Sequence, residues 1–70
     1  MKKYNSVHFI GVRSLLEDSI NDANRSFKNF QETLEKLKGC KILFVNTNLV
    51  FVNDLYRYTI LVTYSILIND

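Results

Sequence analysis

The sequence predicts an α+β fold with the element order strand, helix, strand, strand, a three-stranded antiparallel sheet wrapped on one long amphipathic helix. Three observations predict it. Residues 56 to 68, YRYTILVTYSILI, read with period two: Tyr56, Tyr58, Ile60, Val62, Tyr64, Ile66 and Ile68 share one face, and Arg57, Thr59, Leu61, Thr63, Ser65 and Leu67 the other. Between residues 16 and 37 the apolar residues Leu16, Ile20, Ala23, Phe27, Phe30, Leu34 and Leu37 recur at alternating spacings of four and three, which draws one stripe along a helix. Asn53-Asp54 then gives a turn signal between two apolar runs, as a hairpin requires.

The elements follow in order. In YNSVHFIG, Val7 and Phe9 fall on one side and His8 and Ile10 on the other, so a first strand is expected to end in a turn at Gly11. Ser14 and Glu17 have capping-box spacing, and the acids Glu17, Asp18 and Asp22 lie near the helix start. Lys36 and Lys38 are expected in the last turn, with Gly39 as a left-handed stop. A helix of about 24 residues would be about 36 Å long and is expected to overhang the strands it covers. The heptad-like spacing also suits a coiled coil, but the strand signals on both sides favour packing on a sheet. From Lys41 the period becomes two. KILFV is apolar on both sides, Asn46-Thr47-Asn48 reads as the place for a bulge or change of direction, and LVFV resumes the strand.

Size and composition narrow the functional classes. Residues 1–70 read as one domain, and a chain this short buries only roughly 60% of the surface that its unfolded form exposes. With one cysteine, Cys40, and no Cys/His cluster, neither an internal disulfide nor a structural metal is expected to compensate; association with copies of itself is. The formal charge of +2, with basic residues interleaved among acids, forms no stripe for nucleic acid. The start lacks the apolar core of a signal peptide, and the uncharged run near the end is short of the ~20 residues that span a bilayer, so no membrane partner and a cytoplasmic location are expected. One helix covers one sheet face, which leaves Leu61, Leu67 and the threonines of the other face to another subunit or to enclosed solvent.

Catalysis finds little support. His8, the lone histidine, has no second group of a triad to work with and reads as a structural or surface residue. Cys40 follows the C-terminal end of the helix, where the dipole disfavours a thiolate, and reads as a packed or interface cysteine. Glu17, Asp18 and Asp22 are accounted for by the helix start. Most of the tyrosines and phenylalanines fall on core faces by period, while Phe51, next to the turn, stands out as a candidate exposed stacking ring. A binding protein without turnover is expected.

The chain resembles the dodecins, small cytoplasmic flavin-binding proteins that assemble into hollow balls. YNSVHFIG is similar to the family's opening through Tyr4, Val7, Ile10 and Gly11, and LLEDSINDA to its helix segment through Leu16, Glu17, Asp18, Ser19, Ile20 and Ala23. RYTILVTYSILIND looks like its closing strand. The resemblance covers nearly the whole chain, though most of the matching residues are structural. It implies a homo-oligomer, a dodecamer in the family, with riboflavin or FMN as the cofactor. Three positions match the family's flavin contacts: Cys40 stands where a Trp stacks on the ring, Thr59 where a Gln bonds its polar edge, and Thr47 where an Arg lies on the second strand. The chain has no Trp, so the resemblance implies the scaffold together with weakened flavin binding. The alternative is a structural or protein-interaction module that forms a small oligomer through its sheet and takes no small-molecule ligand.

Overall fold

The computed structural model describes Met1–Ile68; Asn69 and Asp70, the end of the closing motif quoted above, lie outside the described residues. The element order is β1 (Lys2–Arg13), α1 (Leu16–Glu35), β2 (Lys41–Val52) and β3 (Leu55–Leu67). The strands form one antiparallel sheet in the order β1-β3-β2, so the last strand is central and the other two are edges. The fold is α+β, as the periodicities predict.

The helix lies on the face that carries the even-numbered residues of β3. Ala23, Ile60 and Val62 are fully or almost fully buried, and Val7, Phe9, Phe27, Phe30, Ile42 and Tyr58 pack around them. Aromatic contacts extend this core: Phe9 meets Phe27 at 5.8 Å and Phe30 at 5.3 Å between ring centroids, and Phe30 meets Tyr64 edge-on at 5.0 Å. The predicted stripe is therefore buried in its middle, while Leu16 and Leu37 at its ends are exposed.

The helix start differs from expectation. β1 does not end at Gly11 but stays paired with β3 as far as Arg13 opposite Tyr56, because the long central strand still offers it a partner there. Gly11 is thus a strand residue beneath the helix. A Cβ at this position would collide with the Ser19 carbonyl oxygen and lie 3.2 Å from the Ala23 amide nitrogen, so the bare backbone lets α1 approach. The chain must then reverse within two residues, which places Ser14 in the bend. It caps nothing: Leu15 holds the N-cap position with extended backbone and no side-chain hydrogen bond. Ser19 ties the first turn down instead, its hydroxyl donating to the Tyr56 carbonyl at 2.8 Å.

The far end is also shorter than expected. The amides of Lys36 and Leu37 donate to Thr33 and Leu34, three residues back, so α1 ends at Glu35 and no basic residue lies in its last turn. Gly39, at φ 78°, does take the left-handed conformation. The 20-residue helix is about 30 Å long and the 13-residue β3 about 43 Å. The expected overhang is reversed: the sheet outruns the helix.

β2 is continuous through Asn46-Thr47-Asn48, and its irregularity lies earlier, between Ile42 and Phe44. Ile42 sits opposite Tyr64, and Phe44 opposite Thr63, so the extra residue switches faces: Ile42 reaches the core and Phe44 the side away from the helix, where it is 67% exposed. KILFV, apolar on both sides, suits that switch. Asn53 and Asp54, at φ 55° and 60°, make the two-residue hairpin to β3.

Candidate functional site

The alternation that buries Tyr58, Ile60 and Val62 beneath α1 turns Arg57, Thr59 and Leu61 to the opposite face. Antiparallel register then builds three rows across the sheet: His8, Leu61 and Asn46; Ile10, Thr59 and Asn48; Val12, Arg57 and Val50. Residues in a row are about 5 Å apart between Cα atoms, and successive rows on one face are about 7 Å apart. The result is a groove of about 450 Å³ lined by residues of all three strands, including His8, Asn46, Asn48, Arg57, Thr59 and Leu61. Its volume is within the range of roughly 300 to 1,000 Å³ typical of small-molecule sites.

Chemically, the groove sets polar groups within an apolar surround. Asn46, Asn48 and Thr59 supply donors and acceptors, Arg57 a fixed positive charge, and Ile10, Leu61 and Val50 the apolar surface. One row away, Ser6 and Thr63 already satisfy each other through a hydroxyl contact of 3.1 Å. The Arg13–Asp22 ion pair, at 2.7 Å, belongs to the helix side of the molecule. The hydrogen bond from Arg13 and the negative charge of Asp22 push the Arg13 pKa up.

The three predicted contact positions do not form one cluster. Thr59 lies at the centre of the groove, and Thr47 is among its lining residues although it stands directly opposite Ile60, whose side chain is under the helix. Cys40 is at the far end of the sheet. It precedes Lys41, the partner of Ser65, which puts it about 20 Å along β3 from Thr59. Its sulfur lies 3.9 Å from the Lys38 carbonyl oxygen. Phe51 is 56% exposed and 4.6 Å from the ring of Tyr56, so its outer side is open for stacking.

Sequence reasoning did not mark Asn46, Asn48 and Arg57 as groove residues and read His8 as a structural or surface residue. The signal is present in the spacing: Asn46 and Asn48 are two apart on an uninterrupted strand and therefore share a face, although asparagines at that spacing also suit a bulge or change of direction. Among the described residues no group of three or more His, Cys, Asp or Glu is placed to hold a metal ion, and no helix is long and apolar enough to cross a membrane. No protein-family model, no curated protein and no solved structure matches this chain.

Proposed function

We propose that the chain is a homo-oligomeric binding or storage protein that holds a flat small molecule of the flavin type, riboflavin or FMN, on the sheet face away from the helix, without turnover. The observation that carries this reading is the groove itself: the polar groups of Thr59 and Arg57 on the central strand and of Asn46 and Asn48 on the edge strand, set within an open apolar sheet. The extent of that apolar surface supports the oligomer. Ile10, Val12, Phe44, Val50, Val52 and Leu55 are each more than 40% exposed. At ~25 cal/mol per Å² of apolar surface, covering several of them is worth several kcal/mol, comparable to the whole stability of a small domain. The resemblance to dodecins supplies the ligand class, the count of twelve copies and a cytoplasmic setting.

Titration of purified protein into riboflavin tests the ligand. Saturable quenching of flavin fluorescence is expected, weakened about tenfold by Thr59→Lys, a loss of about 1.4 kcal/mol. Unchanged fluorescence with the oligomer intact removes the flavin from this proposal. The second reading, an interaction module, is favoured by the edge of β2, which among the described residues has no strand beside it and offers its backbone groups to a partner strand. In that case the protein remains a small oligomer, binds no flavin, and captures a partner that protects β2 amides from hydrogen exchange.

A further inference from the structure

The two edges of the sheet are unequal. β1 carries three basic residues at its ends, Lys2, Lys3 and Arg13, charges of the kind that discourage edge pairing, whereas β2 carries one, Lys41 at its start, and none from Ile42 to Val52. β2 also reads alike in both directions from Thr47. One step away on either side stand Asn46 and Asn48, two steps away Val45 and Leu49, and three steps away Phe44 and Val50. From Phe44 to Val52 the strand is in regular register with β3, so its free edge is straight there.

We infer that β2 pairs antiparallel with β2 of a second copy about a two-fold axis at Thr47, joining two sheets into one of six strands and two half-grooves into one site. In an isologous antiparallel pair, the residue a given number of steps before the axis faces the residue the same number of steps after it in the copy. Asn46 then faces Asn48, Val45 faces Leu49 and Phe44 faces Val50, so amide meets amide and apolar meets apolar at every pair. The axis must pass at a residue, because residues directly opposite each other share a sheet face. Centring the pair on Asn46 sets Asn48 against Phe44, and centring it on Asn48 sets Asn46 against Val50; each buries an amide against an apolar side chain. Thr47 is the register without that cost. The ends fit as well, since Lys41 of each copy arrives beside the Asn53-Asp54 turn of the other.

This inference rests on the proposed homo-oligomer and adds what the site becomes. Asn46, Asn48 and Val50 lie at the open side of the groove, on the edge strand. With the copies' strands about 4.8 Å apart, four asparagines gather at the axis between two Thr59 residues. The complete site is therefore two-fold symmetric.

Thr47→Cys in a Cys40→Ser background tests the axis directly. Opposed Cα atoms about 4.5 to 5.5 Å apart are within disulfide reach, so mild oxidation is expected to give a cross-linked dimer. Asn24→Cys, on the exposed side of the helix, serves as the collision control. Val45 and Leu49 are 45% and 47% exposed, so changing them leaves the subunit core intact. Val45→Lys or Leu49→Glu alone is expected to weaken association about tenfold or more, and the two together to restore it, because the introduced lysine meets the introduced glutamate of the copy. Linkage at Thr47 no faster than at Asn24, or a double variant no better than either single one, overturns the inference. If either occurs while the native mass remains oligomeric, the axis is wrong and the oligomer stands; if the wild-type chain is a monomer, both fail.

Discussion

β2 and β3 are of nearly equal length, adjacent in sequence and joined by a two-residue turn, yet they have opposite surroundings. β3 is central, pairs on both sides, and buries Ile60, Val62 and Ser65 to 2% exposure or less. β2 is an edge, and after Ile42 every one of its residues is exposed, including Val45 and Leu49 on the helix side and Phe44 and Val50 on the other. Composition does not separate the two strands; position does. The helix spans β1 and β3, so the third strand gains backbone pairing from the sheet but almost no cover for its side chains. β2 thus exposes apolar side chains on both faces, the surface that the proposed second copy would cover.

Substitutions are expected to split along that line. Gly11→Ala should have the largest effect, because the new methyl group meets the helix backbone between Ser19 and Ala23; a loss of about 3 kcal/mol or more is expected by denaturant unfolding. Ile60→Ala should follow at about 3 kcal/mol, since Ile60 is at the centre of the core. Leu49→Ala on β2, though it removes a comparable side chain, should cost a dilute, dissociated subunit less than about 0.5 kcal/mol and should instead move the concentration at which the protein assembles. A core-sized cost for Leu49→Ala in dissociated protein would break the comparison. Ser19→Ala should cost about 1 to 2 kcal/mol, because it leaves the Tyr56 carbonyl without its hydroxyl donor.

The smallest effect is expected at the Arg13–Asp22 pair. Its guanidinium is exposed and its pKa is raised in the folded state, so whatever stability the arginine's charge gives is fully present at neutral pH and is lost as the pH rises into strongly alkaline solution. Melting curves of Asp22→Asn and the parent should therefore coincide in shape across roughly pH 6 to 8.

The order of elements, the helix stripe, the hairpin turn and the covered face of β3 were legible in the sequence, because each depends on local periodicity or on one turn. What was not legible depends on tertiary contact. Gly11 read as an end of strand, since nothing local shows a helix passing over it. Ser14 read as a cap, since the spacing to Glu17 is correct and only the continuation of β1 to Arg13 displaces it. The site divides in the same way. Thr59 was placed through the closing strand, but the groove around it needs the register of three strands, which brings His8, Asn46 and Asn48 together from distant parts of the chain. Asn46-Thr47-Asn48 was read as an interruption because amides are uncommon in strand interiors; on an edge strand they meet no such objection.

The mass of the native protein, followed by light scattering through a dilution series into the micromolar range, tests the central claim that other copies must cover β2. A mass that is a multiple of the single chain is expected, with loss of folded signal or of β2 amide protection only where the assembly dissociates. A folded, monodisperse single chain at micromolar concentration, with β2 amides as well protected as those of β3, would contradict it.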